Sequence, residues 1–317
     1  MIEILQKHLL FIKNHNLSVH KYYCNSKILD KYIWRSYFLI DITIFIIPIL
    51  HIFIDMQHFI YGPFLSRRLG LSLGIDLLAQ NKYKVCTFDC IYCEIGRTNP
   101  KGYSSVNKRI SIAKFHKTIK EKLTRILKIE QNLDSITIGY NGEPTLISDL
   151  AEIIDLIKHV RDCLGIKTPI SIFTNSSTIL DDQICNKLAK TDKIIAKLDV
   201  ATQRDFILIN NPHFSVPHIS KIIAGLKNYK DKYPTNKLII QTMLIDGTIN
   251  NLNDENLKNL SKAYDLICPD LVQLYSVARP PPSPSIKKVK INKIVQIKNK
   301  INNFSQKEKK INIKIFQ

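Results

Sequence analysis

Six short β-branched runs recur between Leu71 and Val277, separated by stretches that carry helical periodicity. The runs are Leu71–Leu78, Ser135–Gly139, Pro169–Phe173, Ile194–Val200, Lys237–Leu244 and Asp270–Val277. Between them, Leu150, Ile153, Ile154 and Ile157 fall at i, i+3, i+4, i+7, with Asp149 and Glu152 placed as a capping pair. Ile219, Ile222, Ile223 and Leu226 repeat that spacing after Pro217, and Leu257, Leu260 and Tyr264 follow it more weakly. Strands alternating with helices predict an α/β protein with a parallel sheet. An open sheet and an incomplete barrel both satisfy this pattern. In either one, the loops after the C-terminal strand ends build the site.

The polar residues collect at those ends. Asn141, Gly142 and Glu143 follow the second run, and Thr174 and Asn175 follow the third. Lys197 and Asp199 close the fourth, two apart and so on one face, readable as an internal salt bridge or as a catalytic pair. Gln241 and Met243 close the fifth, and Gln273 and Tyr275 lie on the sixth. Arg67 and Arg68, just before the first run, are placed to bind an anionic substrate or to pair with acidic neighbours.

After the first run comes CTFDCIYCEIGRTN, which places Cys86, Cys90 and Cys93 within eight residues. Thiolates are the soft ligands that iron–sulfur clusters select, and three of them leave one of four irons open for chemistry. Zinc would ask for a fourth Cys or His nearby, and none follows before His116. Seven cysteines, three of them clustered, point to a reduced cytoplasmic protein with a metal site rather than a disulfide framework. Cys163, Cys185 and Cys268 read as packed or free thiols.

The net charge of +19 raises RNA as a partner. Only nine of the 46 basic residues are Arg, however, and residues 287–317 hold ten Lys against one acidic residue, Glu308. The charge therefore leaves RNA open without establishing it. Residues 1–55 contain no Gly or Ala and include the apolar run Tyr37–Ile54. Asp41, Pro48 and His51 inside that run argue against a membrane span, so a membrane is not expected as a partner. The run can also be a helix packed on the domain, or an upstream extension that is not natively translated, since Met56 directly precedes QHFIYGPFLSRRLG. The expected organisation is an N-terminal extension over 1–55, a core domain over 56–285 and a Lys-rich tail or helix over 286–317, with Ile291, Ile294 and Ile297 in helical register.

CTFDCIYC, with Tyr92 before the last cysteine, resembles the signature of radical S-adenosylmethionine enzymes. GYNGEPTL (139–146) and SIFTN (171–175) resemble that superfamily's next two motifs, in order. YGPFLSRRLGLSLGIDLL, CEIGRT, AKLD, IIQTMLIDG and VQLYSVARPP resemble one branch of it, the iron–sulfur oxidoreductases related to wyosine-tRNA synthesis enzymes. The resemblance runs from about Met56 to Pro284. It implies an incomplete parallel (β/α)6 barrel, with a 4Fe-4S cluster on Cys86, Cys90 and Cys93 whose open iron is chelated by S-adenosylmethionine. It implies that Asn141, Gly142 and Glu143 receive the methionine amino group, that Thr174 and Asn175 lie by the ribose, and that Tyr92 packs by the adenine. The implied activity is reductive cleavage to a 5′-deoxyadenosyl radical that abstracts hydrogen from a substrate, in RNA modification or otherwise. A one-electron donor such as flavodoxin or ferredoxin is implied as partner. The alternatives are an activase that places a radical on a partner protein and a non-catalytic iron–sulfur or zinc-binding protein. Demethylwyosine synthases carry further upstream cysteines for a second cluster. Only Cys24 precedes the motif here, so a second cluster on that plan is not implied.

Overall fold

The computed structural model describes residues 59–81, 83–98, 110–279, 283–307 and 310–316, so the expectations for residues 1–55 lie outside the described residues. Strands β1 (Ile60–Ser66) and β2 (Gly70–Ile75) form an antiparallel hairpin. Parallel strands follow in chain order: β3 (Ser135–Ile138), β4 (Ile170–Thr174), β5 (Lys193–Lys197), β6 (Lys237–Gly247) and β7 (Leu271–Ser276). These six parallel strands, β2 to β7, are the six runs of the sequence. Leu73 pairs with Ile136 and Ile136 with Ile170, which puts matching apolar residues side by side across the sheet. All four residues of β3 are buried, as expected of a parallel strand covered on both faces.

Helices α1 (Ile112–Lys128), α2 (Leu150–Cys163), α3 (Asp182–Leu188), α4 (Ile219–Lys232) and α5 (Asp254–Ile267) lie between successive strands. The predicted stripes are the buried ones, for example Ile153, Ile154 and Ile157 on α2. Asp149 does occupy the N-cap of α2, but its side chain makes no cap bond and instead accepts from Ser148 Oγ at 2.7 Å. Helix α4 begins behind His218, whose Nδ1 accepts from Ser220 N, so Pro217 sits outside the first turn.

Residues after Ser285 join the same fold. Strand β8 (Ile286–Lys288) pairs antiparallel with β6. Helix α6 (Ile291–Phe304) buries Ile294, Ile297 and Ile301, and the carbonyl of Ile301 accepts from Ser261 Oγ of α5 at 2.7 Å. Strand β9 (Ile313–Phe316) then adds to β7 in parallel. The Lys-rich region is thus a packed helix and a further strand rather than a solvated tail.

The strand path runs β1-β2-β3-β4-β5-β6-β7-β9 and does not close, so among the described residues β1 and β9 are free edges. The sheet nevertheless curls. Arg68, in the β1–β2 turn, places its guanidinium carbon 4.1 Å from the ring centre of Tyr275 on β7, five strands away. The result is the expected incomplete barrel, a half-barrel with helices outside. Among the described residues no helix is long and apolar enough to cross a membrane.

Candidate functional site

The cysteine loop runs over the C-terminal ends of β2, β3 and β4, and three other loops hold it there. Val85 N donates to Asn141 O at 3.4 Å, and Glu143 N donates to Val85 O at 2.9 Å. This small ladder brings two backbones together at Gly142, where φ is +133° and a Cβ would overlap the Val85 carbonyl. Only glycine meets both conditions. From the β4 loop, Asn175 Nδ2 donates to Thr87 Oγ1 at 2.8 Å, and Thr87 Oγ1 donates to Ser177 Oγ at 2.7 Å. Within the loop, Asp89 accepts from Thr98 N at 2.9 Å and faces Arg97 at 3.2 Å and Lys84 at 3.9 Å.

Cys86, Cys90 and Cys93 are free thiols. Burial pushes the Cys86 thiol up to about 12, with the neighbouring Cys90 and Glu143 adding to it. Burial likewise pushes Cys90 up to about 11, with Asp199 adding to it. Two sulfurs have N–H groups aimed at them. Cys86 Sγ accepts from Phe88 N and Asn175 Nδ2, each at 3.4 Å, and Cys90 Sγ accepts from Asn210 Nδ2 at 3.5 Å.

Glu143 is buried and its carboxylate is occupied. Oε1 accepts from Thr145 N at 3.2 Å, Thr145 Oγ1 at 2.7 Å and Thr174 Oγ1 at 2.9 Å, and Oε2 accepts from Asn175 N at 2.6 Å. Burial raises its pKa against these hydrogen bonds, which favour the anion. Glu143, Thr174 and Asn175, separate motifs in the sequence, are therefore one cluster that ties the ends of β3 and β4 together. Thr174 and Asn175 already spend polar groups on Glu143 and on the cysteine loop.

Lys197 and Asp199 meet as an ion pair, Nζ to Oδ1 at 3.3 Å. Lys197 Nζ also donates to Tyr275 OH at 2.8 Å and lies 5.0 Å from the centre of the Tyr92 ring. Burial alone would lower the Lys197 pKa, but Asp199 and Tyr275 outweigh it and hold the ammonium above its ordinary value. Asp199 Oδ1 accepts from Met243 N at 2.8 Å, and Oδ2 accepts from Tyr92 OH and from Asn210 Nδ2. Tyr92 is buried, and burial together with Asp199 raises its pKa. Gln241 Nε2 donates to Gln273 Oε1 at 2.7 Å in the same interior. Among the described residues Arg68 makes no ion pair; its contact is with the Tyr275 ring.

Sequence reasoning missed Asn210, because no period or motif marks it. It also missed Asp76, whose Oδ1 accepts from Leu78 N at 3.0 Å and Asn141 N at 3.4 Å beyond the end of β2.

Among the described residues no three His, Cys, Asp or Glu side chains are drawn around one point as the ligands of a single metal ion would be. A 4Fe-4S cluster asks for a wider set, because each thiolate meets a different iron at a corner of a cube. Three free thiols on one short loop, two of them facing N–H donors, fit that donor chemistry.

No family profile matches the chain. Among solved structures it is similar to a radical SAM methyltransferase from Sphaerobacter thermophilus, with a TM-score of 0.55 and 14% identity over 77% of this chain and 65% of that one. It is also similar to Streptococcus suis SuiB bound to precursor peptide SuiA, with a TM-score of 0.54 and 14% identity over 99% of this chain and 60% of that one. The chain thus spans less than two thirds of either structure, and the likeness is one of fold: a half-barrel of the radical SAM type. Among curated proteins, it is 31% identical over 221 residues to a UPF0026 protein of Helicobacter pylori strain J99, covering 70% of this chain and 67% of that one. It is 30% identical over 243 residues to the UPF0026 protein of Methanocaldococcus jannaschii, covering 75% of this chain and 69% of its relative, and on that similarity the chain belongs to the UPF0026 family.

Proposed function

We propose that this protein is a radical S-adenosylmethionine enzyme whose 4Fe-4S cluster is held by Cys86, Cys90 and Cys93. One observation carries the reading. On a half-barrel of the radical SAM type, three motifs far apart in sequence meet at adjacent strand ends: SIFTN is hydrogen-bonded to both CTFDCIYC and GYNGEPTL, and Val85, next to Cys86, pairs its backbone with GYNGEPTL. The chemistry supplied by the bound cluster is one-electron reduction of S-adenosylmethionine to methionine and a 5′-deoxyadenosyl radical, which takes hydrogen from the substrate.

The chain's own residues bind, orient and exclude water. The Asn141–Gly142–Glu143 loop receives the methionine amino group, with Glu143 as a buried acceptor and as the knot that fixes the loop. Thr174 and Asn175 lie by the ribose, and Tyr92 by the adenine, held in place through Asp199 and Asn210. Lys197 keeps a cation in the barrel interior, compensated by the one carboxylate of Asp199. A dry interior of fixed dipoles suits radical chemistry, because it limits side reactions.

A soluble one-electron donor such as flavodoxin or ferredoxin supplies the electron. On the substrate side, the motif string that resembles the wyosine-tRNA branch makes an RNA nucleoside the first class to test. A peptide is the competing class, since SuiB is seen with its precursor peptide.

The deciding experiment is anaerobic reconstitution with iron and sulfide, followed by dithionite and S-adenosylmethionine. Formation of 5′-deoxyadenosine that disappears in the Cys86→Ala, Cys90→Ala, Cys93→Ala triple variant is expected. Iron-replete protein that forms none would overturn the reading.

A further inference from the structure

Asn210 is where the polar network of the barrel interior meets the cysteine loop. It is 3% exposed. Its Nδ2 lies 2.8 Å from Asp199 Oδ2, 3.2 Å from Tyr92 OH and 3.5 Å from Cys90 Sγ. That nitrogen carries two hydrogens. The carboxylate takes one, which leaves the other for the tyrosine oxygen and the sulfur.

The backbone that presents Asn210 is unusual. A helical turn at Gln203–Asp205 widens into a π turn over Phe206–Asn210, which stops at Asn211 with φ +41°. Such turns are rare and concentrate at functional sites. This one is fastened to the cysteine loop. Ile91 N donates to Ile209 O at 3.0 Å, Asp89 N to Asn211 O at 3.1 Å, and His213 N to Thr87 O at 2.8 Å. The rings of Phe88 and Phe206 meet edge-on at 5.3 Å. The same loop residues that carry Cys90 thus fix the amide that faces its sulfur.

We propose that Asn210 is a positioning residue that sets the reduction potential of the cluster through an N–H···S hydrogen bond to Cys90, with Asn175 doing the same at Cys86. The proposal rests on the reading that Cys86, Cys90 and Cys93 hold that cluster. Reduction adds negative charge to the cluster and its sulfurs, so an N–H dipole aimed at a sulfur stabilises the reduced state more than the oxidised one. The Asp199 carboxylate beside Cys90 acts in the opposite direction, and the Asn210 amide damps it by donating to the same carboxylate. Loss of the amide removes both effects, and both move the potential downward.

The test uses reconstituted wild-type protein and the variants Asn210→Leu, which keeps the shape, and Asn210→Ala. Iron is counted, and the midpoint potential is read by redox titration followed by electron paramagnetic resonance, without S-adenosylmethionine or substrate. Full iron with a more negative potential than wild type is expected. An unchanged potential in either folded, iron-replete variant overturns the proposal. A second readout leaves Asn210 intact: in Asn175→Ala protein labelled with 15N-asparagine, pulsed spectra of the reduced cluster should retain one asparagine amide coupling, and its absence overturns the proposal. Wild-type protein that takes up no iron refutes the cluster reading itself, a distinct result on a different sample.

Discussion

Gly142→Ala tests the geometry on which the whole site depends. At φ +133° a side chain is strained by about 1–3 kcal/mol. The new Cβ would also overlap the Val85 carbonyl oxygen, so the two loops must part. Parting them weakens Glu143 N to Val85 O and Val85 N to Asn141 O, at about 0.5–1.5 kcal/mol each. The expected loss is therefore about 2–6 kcal/mol. Gly96→Ala is the control, because Gly96 has φ +102° but a Cβ there meets nothing within 4 Å. It should cost the strain alone, about 1–3 kcal/mol. Urea unfolding of the metal-free proteins gives both numbers. Because Val85 precedes Cys86, the iron content of reconstituted Gly142→Ala should fall as well, while that of Gly96→Ala should not follow from any clash. Equal stability losses in the two variants, with full iron in Gly142→Ala, would refute the close approach.

Further outcomes are expected at single residues. Cys86→Ala, Cys90→Ala and Cys93→Ala should each lose cluster iron by colorimetric assay, and Cys163→Ala, Cys185→Ala and Cys268→Ala should each retain it. Lys197→Met leaves the fully buried Asp199 carboxylate without its cation and should cost about 3 kcal/mol in urea unfolding; a change below about 1 kcal/mol would mean that its hydrogen bonds suffice. Burial raises the pKa of Glu143 in the folded state, so the folded state binds its proton more tightly than the unfolded chain does. That contribution to stability is present below the ordinary value of 4.5 and is lost as pH rises through the raised folded value. Stability–pH profiles of wild type and Glu143→Gln should therefore differ in slope across that window, and parallel profiles would show that Glu143 does not titrate abnormally.

What the sequence made legible depended on how local each signal was. The six parallel strands announce themselves because both faces are covered and the residues are nearly all apolar or β-branched. Strands β1 and β9 escaped because edge strands lack that signature: β1 contains Gly62-Pro63, and β9 is four residues in a Lys-rich stretch. The three cysteines and the Gly142–Glu143 turn were legible as motifs. That Glu143 joins Thr174 and Asn175 in one hydrogen-bonded knot was not, since it depends on β3 and β4 being neighbours in register. Lys197 and Asp199, readable two ways, meet as an ion pair. Asn210 was invisible because a π turn breaks the period from which a side chain's direction is read.

The bonds that shape the cysteine loop have a consequence for the order of assembly. The side-chain partners of the Cys86 and Cys90 sulfurs lie 89 and 120 positions further along the chain, at Asn175 and Asn210. Contacts so distant form only once the strands between them have paired. A zinc finger, by contrast, folds around its metal. On the proposed reading, the cluster's surroundings are complete only after the polypeptide has folded, so it is the folded chain that would receive the cluster. On that reading a chain that misfolds would remain empty however much iron and sulfide it is offered.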